Sequence, residues 1–329
     1  IAQTAAVIAN TVGCYVLIAF DCSVQVVYGL TSLIFFLQPL AIHLYIKRSY
    51  ALDRHIYYDV EPIKQKWNGI AQHIAAVILS SSDSIVLTTF STLVNVSIYT
   101  VYYLPMSGAR LMIMSMISGI QALIGNLWAK QDLAELRKVF AWTEWSIHTG
   151  TTLIFTLTAI LIVPFVQVYT HGVNDANYIQ PLFGVLLVAA NSGHCLRLPY
   201  NIMILAAGHY KQTQHNYIIA AVMNIAISIV CVMQFGLIGV ALGTLAAMVY
   251  QTVWMAWYNS KNFIQWPMKN FFKQIGVDAV SAVGIAFFTS CFALSSVNYI
   301  SWIVLSIKVT IVGLLVIVAV NAIFYRRYI

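Results

Sequence analysis

Ten predominantly apolar stretches of about twenty residues each follow one another along this chain, separated by short polar loops. An α-helix of that length crosses a hydrocarbon core of ~30 Å. With 60% hydrophobic and only 8% charged residues, the chain has too few polar side chains for a solvated surface, so lipid must cover most of its exterior. The sequence predicts an all-α, polytopic membrane protein with spans at about 2–20, 24–45, 69–90, 97–121, 140–165, 180–206, 216–234, 237–258, 274–294 and 301–324.

The loops alternate in charge along the chain. Of the 17 lysines and arginines, 14 fall in every second loop: five in 47–66, three in 130–138, one at Lys211, three in 261–273 and two after the last span. The intervening loops contain none. By the positive-inside rule, the basic loops and the C-terminus are predicted to be cytoplasmic. The chain begins at Ile1, without a methionine and inside a predicted helix, so we expect an N-terminally incomplete protein.

Several classes of function are disfavoured by the motifs that the sequence lacks. Its five cysteines are scattered, without a CxxC pair or a Cys/His ligand spacing, so no metal site, disulfide framework or cofactor is predicted. The sequence contains no GxSxG, HExxH or phosphate-loop motif, and we expect no enzymatic activity. The net charge of +7 is explained by the cytoplasmic loops, so nucleic acid is not an expected partner.

The predicted sixth span is interrupted by polar residues near its centre. Helical spacing places His194, Arg197 and Asn201 on one face, with Asn191 one turn earlier. Pro199 follows two residues after the arginine and removes a backbone donor. A charge at mid-membrane costs about 2.5–3.5 kcal/mol and normally faces a bundle interior or a wet cavity. Two interpretations remain open: an arginine paired for structural reasons, or a cavity-lining arginine with a functional role.

Two other spans carry a polar stripe with an ionisable residue near the middle. In the third span, Asp83 lies among serines and is either a proton or cation site or a satisfied helix contact. In the fourth span, Tyr103, Arg110 and Gln121 share one stripe. We therefore predict one aqueous cavity of positive character, lined by Asp83, Arg110 and Arg197. Arginine suits phosphate, because its planar fork donates two parallel hydrogen bonds.

Three further charged residues lie within spans or at their ends. Lys308 lies about one-third along the last span, where a long side chain can snorkel to the interface, so we expect a structural anchor. Glu144 and Asp278 lie near the predicted cytoplasmic ends of their spans and are expected to be interfacial.

Four segments of the sequence carry a resemblance to a known family. They are SSSDSIVLTTFSTLVNVSIYTVYYL at 80–104, VPFVQVYTHGVNDANYIQPLFGVLLV at 163–188, RLPYNIMILAAGHYKQTQHNYIIAAVMNIAISIV at 197–230 and FGLIGVALGTLAAMVYQTVWMAWYNSKN at 235–262. AAGHYKQTQ at 206–214 and FGLIGVALGT at 235–244 are the most specific parts. These segments resemble the bacterial oligosaccharide-lipid flippases of the multidrug/oligosaccharidyl-lipid/polysaccharide exporter superfamily, and the similarity extends over most of 47–261.

The resemblance implies a transporter with two six-helix lobes around a central cavity. Residues 1–46 would be the last two helices of a truncated N-lobe, and 47–68 a cytoplasmic loop between the lobes. Residues 69–259 would be a MATE-like C-lobe of six helices, and 260–329 a cytoplasmic loop with two accessory helices. Members of the family move undecaprenyl-diphosphate-linked oligosaccharide repeat units across the bacterial cytoplasmic membrane for capsule, O-antigen or exopolysaccharide synthesis.

The resemblance also implies roles for the polar residues inside the spans. Cationic groups in the cavity would hold the anionic head group, and Asp83 would match a coupling site for a proton or a sodium ion. The candidate substrate-binding residues are Arg110, Arg197, His194, Asn191, Asn201, Tyr103 and Gln121. The implied partners are the polyprenyl-diphosphate-linked oligosaccharide, the lipid bilayer, and the polysaccharide polymerase and glycosyltransferases of the same pathway.

Two alternative functions are kept. A MATE-type multidrug or cation antiporter would favour acidic groups in the cavity, and the two intramembrane arginines argue against it. A membrane polysaccharide polymerase or glycosyltransferase would need a large outer loop or a cytoplasmic catalytic segment, and the sequence has neither.

Overall fold

The computed structural model describes residues 2–50 and 65–326, and these two ranges form twelve α-helices and no β-strand. Nine helical segments of the described ranges are long and apolar enough to cross a membrane, and α1 is a shorter apolar helix. The predicted all-α, polytopic class is therefore confirmed. The helices are α1 Ala2–Ala19, α2 Val24–Ile34, α3 Leu37–Ser49, α4 Lys66–Phe90, α5 Leu93–Ala129, α6 Leu133–Tyr169, α7 Pro181–Leu196, α8 Leu198–Ala206, α9 Tyr210–Phe235, α10 Leu237–Asn262, α11 Met268–Thr289 and α12 Tyr299–Phe324.

The helices differ from the predicted spans for four of the ten spans. The fourth and fifth spans belong to α5 and α6, which have 37 residues each and are therefore about 55 Å long, well beyond a hydrocarbon core. The second span is divided into α2 and α3 at Phe35 and Phe36. The sixth span is divided into α7 and α8 at Arg197, two residues before Pro199. The predicted proline break is therefore present in the structure.

The described residues form two compact units, 2–50 and 65–326. In the smaller unit, α1 packs against α2, and the Asn10 amide of α1 donates to the Thr31 carbonyl of α2 at 3.4 Å. Most of the predicted inter-lobe loop 47–68 lies outside the described residues, as does Arg327.

The larger unit, α4 to α12, exposes large apolar side chains and buries several polar ones beside its apolar core. Met233, Ile300 and Ile323 are about three-quarters exposed, whereas Asn224 and Gln251 are fully buried. An exterior this apolar is unlike that of a water-soluble fold and fits a surface covered by lipid.

The closest packing in this unit joins α9 to α10. A single residue, Gly236, separates the two helices and has a φ of 54°, a backbone conformation that glycine adopts without a steric penalty. Gly239 and Gly243 then form a GxxxG pair on the face of α10 that touches α9. Small residues at this spacing let two helix backbones approach closely inside a membrane.

The last two helices pack together and against α6. Polar contacts join α12 to α6: the Trp145 indole donates to the Asn321 side-chain oxygen at 2.7 Å, and the Trp302 indole donates to the Leu161 carbonyl at 3.4 Å. Several polar side chains of α6, among them Glu144 and His148, are buried.

Candidate functional site

A narrow cavity lies among α4, α5, α7 and α10. Its free volume is about 30 Å³, room for one or two water molecules. Three of its lining residues are the ionisable residues predicted to share one cavity, Asp83, Arg110 and Arg197. The other lining residues are Ala76, Leu79, Ser80, Tyr99, Tyr103, Ala190, Asn191, His194, Thr244 and Met248.

Arg197 lies at the break between α7 and α8 and is only 5% exposed. One guanidinium nitrogen, Nη2, donates to His194 Nδ1 at 2.9 Å, which requires that the imidazole proton be on Nε2. The other two nitrogens, Nε and Nη1, are buried and have no hydrogen-bond partner among the described residues. A buried donor without a partner costs about 1–3 kcal/mol, and more when it is charged. Arg197 is therefore held next to the cavity with unused donors.

Arg110 is the second cation of the cavity. Its side chain is half-buried on α5 and forms neither a hydrogen bond nor an ion pair with any described residue. Tyr103 lies two turns earlier on the same helix and stacks on Tyr99, with ring centroids 5.6 Å apart and planes at 14°. With two guanidinium groups and one carboxylate, the cavity has a net positive charge.

Asp83 lies on α4 and forms a compact polar cluster with residues of α9 and α10. The Thr244 hydroxyl is 2.7 Å from Asp83 Oδ1 and 2.9 Å from Oδ2. The Asn224 amide donates to the Thr244 hydroxyl at 2.8 Å and lies 3.5 Å from Asp83 Oδ1. Ser82 donates to the Asn224 side-chain oxygen at 2.5 Å, and the Tyr99 hydroxyl lies 3.4 Å from Asp83 Oδ2.

This cluster provides no positive charge to balance the Asp83 carboxylate. The carboxylate is 5% exposed, and no lysine, arginine or histidine of the described ranges lies within ion-pair distance of it. Its hydrogen bonds come from neutral groups, namely the hydroxyls of Thr244 and Tyr99 and the amide nitrogen of Asn224. The carboxylate and the hydroxyl oxygens beside it are ligands of the kind that a hard cation prefers.

The candidate substrate-binding residues separate into two groups in the structure. Arg110, Arg197, His194, Asn191 and Tyr103 line the cavity, although the Asn191 amide already donates to the Leu187 carbonyl at 2.9 Å.

The other two candidates lie elsewhere. Gln121 is exposed on α5, at the predicted end of the span. Asn201 lies one turn into α8, outside the cavity, where it accepts a hydrogen bond from the Tyr217 hydroxyl.

Sequence reasoning missed the contribution of α9 and α10 to this site. Thr244, Asn224 and Tyr99 contact Asp83, and none of them was a candidate from the sequence. A signal was present: Asn224 is a single amide in an otherwise apolar run of α9, and Thr244 directly follows the GxxxG glycines. Isolated polar residues inside a span usually face other helices.

The fold is similar to that of a solved structure titled "Lipid II flippase MurJ, inward closed conformation". The similarity has a TM-score of 0.60 at 17% sequence identity and covers 92% of this chain. The chain corresponds to 63% of the length of that flippase. No protein-family model matches the chain, and no curated protein matches it. The comparisons therefore show a shared fold.

Proposed function

We propose that this chain is part of a flippase that moves a polyprenyl-diphosphate-linked oligosaccharide across the bacterial cytoplasmic membrane. The substrate is the lipid-linked repeat unit of a surface polysaccharide such as a capsule, O-antigen or exopolysaccharide. The shared fold with a lipid II flippase supports a lipid-linked substrate. The basic loops support a cytoplasmic C-terminus by the positive-inside rule.

The observation that carries the proposal is the state of Arg197. Its guanidinium is buried inside a membrane protein, lines a cavity, and keeps two nitrogens without hydrogen-bond partners. Diphosphate oxygens would accept hydrogen bonds from these donors and balance the positive charge that Arg110 shares. Binding of a cationic drug in this cavity would be unfavourable, because two guanidinium groups would repel it.

We further propose that Asp83 binds the cation that drives transport, either a proton or sodium. The carboxylate has the Thr244 and Tyr99 hydroxyl oxygens beside it and no basic partner within ion-pair distance among the described residues. Asp83 and both arginines line the same cavity. A cation on Asp83 would add positive charge to that cavity and so favour an anionic head group, which links the two ligands electrostatically.

The test is polymer export in a strain deleted for the gene and complemented with Arg197 variants, with protein in the membrane measured by blot. Arg197→Ala should abolish export at normal protein level. Arg197→Lys keeps the charge but loses the planar fork, so partial export is expected. Arg197→Gln should behave like alanine, since the charge is lost.

Lys308→Ala is the matched control, because it removes another intramembrane cation that is exposed and lines no part of this cavity. It should export normally. A direct assay accompanies export: native mass spectrometry of the purified chain with undecaprenyl diphosphate should show binding that Arg197→Ala loses. Full export by Arg197→Ala at normal protein level would refute the assignment and make Arg197 a structural arginine.

A further inference from the structure

A second group of buried ionisable side chains lies where α6 packs against α8 and α11, apart from the Asp83 cavity. His148 Nδ1 is 2.7 Å from Asp278 Oδ2, and the Tyr200 hydroxyl donates to Glu144 Oε1 at 2.6 Å. The Tyr200 hydroxyl and His148 Nε2 are 3.5 Å apart, so the two pairs form one continuous chain of hydrogen bonds. Glu144, His148 and Asp278 are 4%, 0% and 9% exposed, so all three side chains are buried among the helices.

The second carboxyl oxygen of each acid accepts a hydrogen bond from a neutral donor. The Trp266 indole donates to Glu144 Oε2 at 2.7 Å, and the Gln274 amide donates to Asp278 Oδ1 at 3.1 Å. The two acids also face different spaces. Glu144 lines a cavity of about 410 Å³ between the N-terminal part of α6, the start of α11 and the end of α12, whereas Asp278 lines a mostly apolar groove of about 590 Å³ between α6, α7 and α11. The chain of hydrogen bonds thus begins at a cavity with polar lining residues and ends beside an apolar groove.

No positive side chain balances the two carboxyl groups. Lys273 of α11 and Arg326 after α12 line the cavity beside Glu144, but neither forms an ion pair with Glu144 or Asp278. Lys273 Nζ instead contacts the Phe324 carbonyl at 3.2 Å and lies over the Tyr325 ring.

The remaining neighbours supply no charge either. From α8 the cluster receives the neutral Tyr200 hydroxyl, and from α10 the Asn259 amide donates to the Tyr200 carbonyl. With both acids ionised and the imidazole neutral, the cluster would bury two negative charges without a cation. Burying an unpaired charge costs several kcal/mol, so a proton on the cluster is the less costly state.

We propose that Glu144, His148 and Asp278 form a proton-binding site that keeps at least one proton at neutral pH. The proton is shared within the hydrogen-bonded chain and exchanges with water in the polar cavity beside Glu144. Because two carboxyl groups and an imidazole interact directly, the proton belongs to the cluster rather than to one residue. The inference goes beyond the proposed function and holds whatever the chain transports.

The pH dependence of unfolding tests this site without any transport assay. In the unfolded chain the carboxyl groups and histidine carry no proton above about pH 7. If the folded chain holds one more proton, its ratio of folded to unfolded molecules falls about tenfold per pH unit as pH rises. The melting temperature of the purified protein in detergent should therefore decrease between neutral and alkaline pH until the cluster releases its proton.

Glu144→Gln and Asp278→Asn each remove one carboxylate and with it the need for the extra proton. Each substitution should lower the melting temperature at neutral pH. The further decrease of the melting temperature with rising pH should be at most about half of that in the unaltered chain. The matched control is Glu135→Gln, which removes an exposed carboxylate on the same helix, paired only with Lys138 at 3.0 Å. Its pH dependence should equal that of the unaltered chain.

A merely structural role of the cluster predicts a different result: lower melting temperatures with an unchanged dependence on pH. That result in both variants would overturn the proposal. If a variant does not purify as a single species, the Asp83→Asn chain with the intact cluster gives a second measurement at neutral pH. Its infrared spectrum should contain a protonated-carboxyl band, or nuclear magnetic resonance of labelled histidine should show an imidazolium. The absence of both signals would equally overturn the proposal.

Discussion

Replacing Gly243 by alanine adds one methyl group at a position where α9 and α10 approach closely. A Cβ atom at this position would overlap the Ser228 hydroxyl and would lie 2.8 Å from the Ser228 nitrogen and 2.9 Å from the Asn224 carbonyl oxygen. Rotation of the serine side chain can remove only the first of these overlaps. The other two involve backbone atoms of α9, so the two helices must move apart.

The size of the effect follows from two opposing contributions. Overpacking a well-packed interface costs about 1–3 kcal/mol, and a clash with backbone atoms belongs at the upper end. Alanine recovers about 1 kcal/mol through its better helix propensity. We therefore expect Gly243→Ala to lower the free energy of unfolding by about 2 kcal/mol. The same movement separates Asn224 from Thr244, so cation binding at Asp83 should weaken as well.

The assay is equilibrium unfolding in mixed detergent micelles with increasing sodium dodecyl sulfate. Gly119→Ala is the matched control, because a Cβ atom there meets no heavy atom within 4 Å. The control should be unchanged or up to about 1 kcal/mol more stable. Equal stability of Gly243→Ala and Gly119→Ala would refute the close-approach argument for α9 and α10.

Two further predictions concern single side chains. Thr244→Val removes the hydroxyl that lies 2.7 Å and 2.9 Å from the Asp83 oxygens. The binding free energy of the cation at Asp83 should fall by about 1–3 kcal/mol, so the sodium or proton concentration for half-maximal export should rise about tenfold or more. Thr244→Ser keeps the hydroxyl and should retain export. His209 lies between α8 and α9, outside the spans, and burial lowers the pKa of its imidazole. The contribution of the neutral imidazole to stability is complete above the pKa of about 6.5 in the unfolded chain, and it is lost as pH falls towards the lower pKa in the folded chain. Acidification from pH 7.5 to 5.5 should therefore lower the melting temperature of the unaltered chain more than that of His209→Gln.

The membrane spans could be predicted because length and hydropathy alone determine them. Each apolar run long enough to cross a bilayer corresponds to a helix or a broken pair of helices in the described ranges. The break at Arg197 was also predictable, because Pro199 cannot donate a backbone hydrogen bond. These features depend on residues close together in the sequence.

The partners of Asp83 could not be predicted, because they depend on contacts between distant residues. Asn224 and Thr244 lie 141 and 161 positions away in the sequence. Their meeting depends on how α4 packs against α9 and α10, which the periodicity of a single span does not encode.

The burial of Glu144 and Asp278 could not be predicted for a related reason. Position along a span predicts depth in the membrane, but it does not show that another helix covers the residue. The packing of α11 against α6 brings Asp278 to 2.7 Å from His148, and Tyr200 and Trp266 donate to Glu144.

The narrowness of the Asp83 cavity sets a condition on the affinity of any large ligand. About 30 Å³ does not admit a diphosphate, so the space must widen before binding, and the measured Kd equals the intrinsic Kd divided by the fraction of molecules with a wide cavity. If about one molecule in a hundred is wide, binding is about a hundredfold weaker than the contacts alone would give. Residues that hold the cavity narrow, such as the stacked Tyr99 and Tyr103, therefore determine affinity as directly as the arginines do, although they act on the population of states.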